Sequence, residues 1–228
     1  MSTSRAHRVN RNVATLIERF DECVERFSSR PPFGKPGQFE SHRDTIATRR
    51  SFDSAAQALD DDSFLRSLYR TLSAWGIGSR GSVLTAYPGF SGAIRSNSER
   101  IAALDGIRID DPQLNSFAVT AKLWKLTSSL GIVRNDAILV PCSKALHHIL
   151  PELVVPIDRA YTGEFFSFHR PYFQYRQEKI FREAFRNLRH IATSVDLDQY
   201  VGSGWHTSRT KVLDNAIVGF ILLEDETA

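Results

Sequence analysis

Cysteine is scarce in this sequence: Cys23 and Cys142 are the only two in 228 residues. So few thiols exclude a disulfide-stapled scaffold and favour a reducing compartment. No apolar run approaches the roughly 18 residues that a membrane-spanning helix needs. The basic N-terminal stretch also lacks the apolar core of a secretory signal. We therefore expect a cytoplasmic protein with no membrane partner.

Several motifs of phosphate and metal chemistry are also missing. The sequence has no G-x-x-x-x-G-K-[ST] loop, no H-E-x-x-H and no paired C-x-x-C. We therefore expect neither a metal nor another cofactor. The glycine-rich stretch G-I-G-S-R-G-S (76–82) is predicted as a plain connection between helices. Alternatively, its backbone N–H groups and Arg80 hold a phosphate.

The composition is that of an ordinary globular protein, with 42% hydrophobic and 24% charged residues. The basic residues comprise 23 Arg and 6 Lys, and the formal net charge is +3. Positive charge concentrates in residues 1–50 and 169–190, each with a local charge of +4. This distribution is compatible with a polyanionic partner, although a genome biased toward Arg codons produces the same excess.

Apolar residues recur at helical spacing along most of the chain, which predicts an all-α protein. We expect a single unit over 1–228, with possible lobes at 1–110 and 111–228. Residues 29–40 are predicted as a loop because they contain three prolines and two glycines. Only short stretches such as Ile138–Val140 have strand character. The predicted helices cover 12–28, 52–60, 64–75, 91–104, 112–129, about 141–150, a stretch beginning at Asp158, 172–192 and a stretch beginning at 207–208.

Residues 138–166 carry the pattern best suited to catalysis: I-L-V-P-C-S-K-A-L-H-H-I-L-P-E-L-V-V-P-I-D-R-A-Y-T-G-E-F-F. Lys144 is predicted in the first turn of a short helix, where the dipole and burial favour a neutral, nucleophilic amine. Asp158 is predicted to begin the next helix, whose free N–H groups stabilise its anion. This pair suits cleavage of a glycosidic bond, in which positive charge develops on a sugar. Alternatively, Asp158 is only a helix cap and Lys144 is a solvated residue.

The combination of S-K-A-L-H-H (143–148) and P-E-L-V-V-P-I-D (151–158) resembles the core of the helix-hairpin-helix DNA glycosylase superfamily. The nearest likeness is to its 8-oxoguanine glycosylase-like branch. The resemblance implies a two-lobed helical fold, with Lys144 attacking the anomeric carbon and Asp158 stabilising the sugar cation. Distant prokaryotic relatives with a shortened Lys-to-Asp segment look closer still, and some resemble phage-defence enzymes that act on modified bases.

Two features depart from the superfamily pattern. The hairpin normally reads L-P-G-x-G before the lysine, whereas this chain has L-V-P-C-S at 139–143. The predicted helix-hairpin-helix is therefore degenerate. The interval between Lys144 and Asp158 is also several residues shorter than in well-studied members.

Other residues are candidates for holding a flipped base or the DNA backbone. Trp205 follows a glycine-flanked stretch rather than an apolar stripe, which favours a functional role. A helical stripe within 172–192 is predicted to follow a DNA backbone or, alternatively, to be a solvated face. The further candidates for substrate or DNA binding are His147, His148, Arg159, Tyr161 and Trp124; each is alternatively a packing residue or, for Arg159, a partner of a nearby carboxylate.

Arg209 and Lys211 stand near the start of the last predicted helix, where cations are unfavourable. Such a local conflict is typical of functional constraint, so we expect both residues to bind substrate or DNA. Lys211 with Asp214, three positions on, is an alternative nucleophile pair.

The sequence thus predicts a monomeric DNA glycosylase that removes a modified or damaged base and leaves an abasic site, with or without lyase activity. Repair and anti-phage defence are equally compatible with the pattern. The alternatives are a non-catalytic helical nucleic-acid-binding module, which keeps the basic stripe without the Lys–Asp chemistry, and a helical protein–protein adaptor.

Overall fold

The structure, a computed structural model, describes residues 2–78, 82–202 and 204–227. Arg80 and Ser203 lie outside these described residues. The described chain is helical and contains no β-strand, which confirms the all-α prediction; one isolated antiparallel bridge joins Leu84 to Val133. The helices are α1 (Ser2–Glu18), α2 (Phe20–Ser29), α3 (Gln38–Arg50), α4 (Ala55–Asp60), α5 (Asp62–Ala74), α6 (Tyr87–Arg95), α7 (Ser98–Ala102), α8 (Ser116–Ser129), α9 (Leu139–Ile149), α10 (Tyr161–Phe165), α11 (Tyr172–Tyr175), α12 (Gln177–Ser194) and α13 (Arg209–Thr227), with a 3-10 turn at Asp198–Tyr200.

Three predicted helices are divided in the structure. The stretch 12–28 falls on α1 and α2, which break at Arg19, and 91–104 falls on α6 and α7. The stretch 172–192 breaks at Arg176, whose φ of −129° and ψ of 33° interrupt the helix. Apolar periodicity continues across each break, so the pattern alone does not reveal the interruption. The predicted strand character of 138–140 is wrong, since Leu139 and Val140 open α9.

Helix α8 begins at Ser116 rather than at Pro112. Asn115 determines this start, because its side-chain oxygen accepts a hydrogen bond from the Ala118 N–H at 3.0 Å. Such a cap satisfies a donor that the helix itself leaves free. Helix α5 starts in the same way, with the Asp61 carboxylate accepting from the Phe64 N–H at 2.8 Å.

Helix α3 was not predicted: the sequence predicted a loop over 29–40 and no helix between that loop and residue 52. Its buried face is largely polar: His42, Thr45 and Arg49 are buried alongside Ile46. Thr45 Oγ1 lies 2.8 Å from Thr71 Oγ1 on α5. Arg49 donates to the Ile149 carbonyl at 2.8 Å, which ties α3 to the end of α9. A helix that buries polar groups shows no hydrophobic stripe, so the periodicity could not reveal it.

The core runs through nearly the whole chain, from Val9 to Ile221. Helix α13 packs along α2, and the two helices approach closely at Gly219, where an added Cβ would overlap the Cys23 carbonyl oxygen. Only glycine permits this separation of the two helices. A lobe boundary at residue 110 would place α2 and α13, which pack together, in different lobes. The division into two lobes stays a prediction. Among the described helices, none is both long enough and apolar enough to cross a membrane.

Candidate functional site

A small cavity of about 110 Å³ gathers groups from five parts of the chain. The loop before α3, the start of α3, the end of α5, the α9–α10 region and α13 with the residues before it each contribute to the wall. We call it the Lys144 cavity. Its lining combines three aromatic rings with two lysines, two aspartates, an amide and a proline: Phe33, Gln38, Trp75, Lys144, Pro156, Asp158, Trp205, Lys211 and Asp214.

Lys144 and Asp158 face this cavity although 14 positions separate them in sequence. Their neighbours explain the juxtaposition, because Ser143 Oγ accepts a hydrogen bond from the Ile157 N–H at 3.1 Å. The apolar segment between them is buried at Leu153, Val154 and Val155, which fixes the return of the chain to α9. Local packing therefore brings the sequence-predicted pair into one site.

The predicted place of Lys144 in a first turn is wrong. Helix α9 begins at Leu139, so Lys144 is its sixth residue and lies in the second turn, where the dipole has little influence. Burial is instead the cause that lowers the pKa of Lys144; the carboxylates of Asp158 and Asp214 oppose the shift and Lys211 adds to it. No described carboxylate forms an ion pair with Nζ, which lies 5.4 Å from the centre of the Trp75 ring.

Asp158 does not begin a helix as predicted, since α10 starts at Tyr161. Its carboxylate still acts as a cap, because Oδ1 accepts from the Thr162 N–H at 3.3 Å. The expectation of a strongly stabilised anion is wrong: burial raises the pKa of Asp158 and outweighs the charge of Lys144 and the backbone donors. Burial thus disfavours the charged form of both groups, which lowers the pKa of Lys144 and raises the pKa of Asp158.

Lys211 occupies a different environment from Lys144. Only 1% of the residue is exposed, and its Nζ lies 2.5 Å from Asp214 Oδ2, one turn along α13. The same Nζ lies 5.1 to 5.5 Å from the ring centres of Phe33, Trp75 and Trp205. The Asp214 carboxylate and the three ring faces therefore surround the Lys211 Nζ. Lys211 thus has a carboxylate partner, whereas Lys144 has none among the described residues. These contacts also offset the unfavourable place of Lys211 in the first turn of α13.

A chain of neutral histidines lies behind the cavity. His148 Nδ1 is 2.7 Å from the Lys144 carbonyl oxygen, which only accepts, so this nitrogen carries the proton and donates. His148 Nε2 therefore accepts from His42 Nδ1 at 2.9 Å, and His42 Nε2 accepts from the Thr207 hydroxyl at 2.8 Å. These hydrogen bonds connect the backbone of Lys144 to α3 and to the segment before α13.

His147 and His206 are neutral as well. His147 Nδ1 donates to the Val154 carbonyl at 2.9 Å. His206 Nε2 lies 2.9 Å from Ser28 Oγ, and its Nδ1 accepts from Asn215 Nδ2 at 3.1 Å. Burial is the main cause that lowers the pKa of all four histidines, to about 4 for His148 and His206. Within the described residues, no group of three or more His, Cys, Asp or Glu side chains is arranged to hold a metal ion.

These histidines predict a loss of stability in mild acid. In the unfolded chain a histidine takes up a proton near pH 6.5, whereas burial keeps the pKa of His148 at about 4 in the folded protein. The unfolded state therefore binds more protons between these two values. The free energy of unfolding of the protein should therefore fall as pH drops through this window, by about 1.4 kcal/mol per pH unit for each such histidine.

Urea unfolding at pH 7.5, 6.0 and 5.0 measures this slope. His148→Gln removes one of the buried titrating groups, so it should flatten the profile even though it lowers stability at pH 7.5. His190→Gln, at an exposed position of α12, is the matched control and should leave the slope unchanged. An equal slope in wild type and His148→Gln would contradict the neutral histidine chain.

The other predicted site residues lie at different distances from the cavity. Trp205 forms part of its wall and stacks on His42 with 5.6 Å between ring centres. Tyr161 packs 6.1 Å from Phe33, just behind the lining. His147 and His148 are fully buried beneath it rather than open to a ligand. Arg159 follows Asp158 on the chain and is half-buried, but it does not line the cavity.

Two predicted binding residues face elsewhere. Trp124 packs against Phe181 with 5.8 Å between ring centres and lines a separate open groove on α12. Arg209 is surrounded by carboxylates: Glu152 Oε2 lies 3.0 Å away, Asp110 Oδ2 lies 3.5 Å away and Asp198 forms a further ion pair. These contacts neutralise the cation at the start of α13 and explain its position without a ligand.

Sequence reasoning missed Phe33 and Gln38 as site residues. Both belong to the stretch that was predicted as an unstructured loop. Phe33 is an aromatic residue in a proline-rich and glycine-rich segment, and this unusual context could have marked it as a site residue. Gln38 carried no signal, because its place at the cavity depends on the start of α3. The Gln38 carbonyl accepts from Trp75 Nε1 at 3.2 Å, so the two wall residues support each other.

Comparison of the chain with protein-family models, with curated proteins and with solved structures finds no match.

Proposed function

We propose that this protein is a DNA glycosylase that excises a modified or damaged base and leaves an abasic site. The observation that carries the proposal is the meeting of Lys144 and Asp158 in one small aromatic-walled cavity. Lys144 has a pKa lowered by burial and no carboxylate ion pair among the described residues. The proposal includes DNA as the partner, a cytoplasmic location and a two-lobed fold, in which α8, residues 130–138 and α9 correspond to the degenerate helix-hairpin-helix.

In the proposed reaction, the lone pair of Lys144 Nζ attacks C1′ of the target nucleotide as the N-glycosidic bond breaks. The base leaves with the bonding electron pair, and Asp158 transfers to it the proton that the attacking amine releases. The Asp158 carboxylate also stabilises the positive charge that develops on the sugar. The resulting amine adduct opens to an imine between Lys144 and C1′, which water hydrolyses or from which the strand is cleaved.

The lining of the cavity is suited to an extruded base. Aromatic rings at Phe33, Trp75 and Trp205 offer faces for stacking. The Gln38 amide nitrogen offers a donor for a base edge, while its Oε1 already accepts from the Lys35 N–H at 3.2 Å. The volume of about 110 Å³ is somewhat below the ~150 Å³ of a cavity that holds benzene. A base therefore enters only if the cavity widens, and a single-ring base requires less widening than a purine, which favours a modified pyrimidine as the substrate.

The proposal is tested with duplex and single-stranded DNA carrying modified pyrimidines, phage-type hypermodified cytosines and an oxidised purine. Unmodified DNA is the control. We expect abasic-site cleavage on at least one modified strand, together with a protein–DNA adduct after borohydride reduction. Abasic product without an adduct would contradict the role of Lys144 and point to water activated by Asp158. The absence of both signals on every substrate would contradict an enzymatic function and favour the non-catalytic binding module.

A further inference from the structure

An open groove of about 810 Å³ lies along α12, separate from the Lys144 cavity. Trp124 of α8 forms one side, and the residues from Gln174 to Arg186 form the other. Gln177 ties this side to the start of α9, because its Oε1 accepts from the Leu139 N–H at 2.8 Å. Ile138 lines the groove, and Lys144 is six residues further along α9, or about 9 Å along the helix axis.

The groove carries cations that the protein itself does not neutralise. Lys179, Arg182 and Arg186 follow one face of α12 at positions i, i+3 and i+7. Arg182 pairs with Glu178 at 2.7 Å, and the remaining acid of the groove, Glu183, pairs with Arg5 at 2.7 Å. Among the described residues, no ion pair engages Lys179, Arg186 or Arg176. The groove is therefore electrostatically complementary to a polyanion.

The same groove exposes aromatic surface. Tyr175 is 63% exposed and lies on the rim, while Trp124 is half-buried in the opposite side. Arg176 covers the neighbouring Tyr172 ring at 4.9 Å from its centre. Aromatic faces beside unpaired cations are the combination by which proteins hold unpaired nucleotides, with bases stacking on rings and phosphates meeting cations. A duplex keeps its bases stacked on each other, so these rings favour a single strand.

We propose that this groove binds single-stranded DNA, with phosphates on Lys179 and Arg186 and bases on Trp124 and Tyr175. The inference rests on the proposed function in one respect: the bound strand would be the one that delivers the target base to the nearby Lys144 cavity. Binding itself does not depend on catalysis, so the two proposals fail separately.

Fluorescence anisotropy with a labelled oligonucleotide of mixed sequence measures the groove directly. Lys179→Gln/Arg186→Gln should raise the Kd about tenfold or more at 0.1 M salt. It should also reduce the slope of log K against log salt by about 1.4, since each lost phosphate contact contributes about 0.7 for a single strand. Tyr175→Ala should raise the Kd about tenfold through lost stacking and leave the salt slope unchanged.

Arg66→Gln/Arg70→Gln on the exposed face of α5 removes the same charge elsewhere and should leave the Kd within about twofold of wild type. Equal weakening by the α5 and α12 pairs, or no binding of the single strand by wild type, would overturn the groove. Groove binding without base release from any substrate would instead leave the groove standing and overturn only the glycosylase.

Discussion

Asp158→Asn is expected to slow base release by about 10³-fold or more. The substitution removes the negative charge that stabilises the developing sugar cation. It also removes the group that carries the proton to the departing base. Each of these effects contributes a rate factor of about 10² or more to such reactions. Asparagine keeps the oxygen that accepts the Thr162 N–H, so the local backbone should remain in place. Single-turnover release of the base from the best modified substrate measures the effect.

Stability distinguishes this loss of activity from a damaged fold. Burial raises the pKa of Asp158, which means that the folded protein holds this carboxylate at a cost. Asp158→Asn should therefore unfold at the same or a higher urea concentration than wild type. Asp61→Asn, which makes the same change at the half-buried cap of α5, is the control and should keep full activity. Activity of Asp158→Asn within threefold of wild type would exclude a catalytic carboxylate at this position.

Lys144→Met is expected to abolish the borohydride-trapped adduct and to lower base release by about 10³-fold or more, as the loss of a covalent nucleophile does elsewhere. Methionine is unbranched like the lysine stem, and it removes the amine that lies 5.4 Å from the centre of the Trp75 ring. Because burial lowers the pKa of Lys144, the fold disfavours its charged form, and Lys144→Met should unfold at the same or a higher urea concentration than wild type.

Lys122→Met on the exposed face of α8 provides the matched control, with trapping and release expected at wild-type levels. A trapped adduct that persists in Lys144→Met would move the nucleophile to another amine. Lys211 is the other lysine that lines the cavity, and loss of trapping in Lys211→Met alone would identify it. Abolished trapping with unchanged base release would mean that the imine forms only after the base has left.

The sequence was sufficient to predict that Lys144 and Asp158 lie close together, and both line one cavity. Lys144 and Asp158 stand out because prolines, a buried apolar connection and two short helical segments surround them within 30 residues. Such local patterns constrain the chain directly, and the Ser143–Ile157 hydrogen bond completes what the spacing implied. The reasons assigned to each group were different, since burial and not helix position shifts both pKa values.

The rest of the cavity depends on residues that are distant in sequence. Phe33 and Trp75 meet Lys211 only because α13 packs beside α2 and the stretch before α3 folds over its first turn. The aromatic cage that distinguishes Lys211 from Lys144 has no signature along the chain. The sequence also could not reveal that carboxylates neutralise Arg209, because these partners lie 11, 57 and 99 positions away. Arg209 was therefore expected to bind a ligand.

The sequence by itself determined the all-α class, most helices and the Lys144–Asp158 segment, because apolar periodicity and caps act between neighbours a few residues apart. The tertiary structure decided where helices break, that α3 exists and which polar groups are buried. His42 illustrates the difference: it is a polar residue in an unremarkable stretch, yet it bonds to His148 at 2.9 Å in the interior. Burial of a polar group is stabilised by its partner, and only the folded chain supplies that partner.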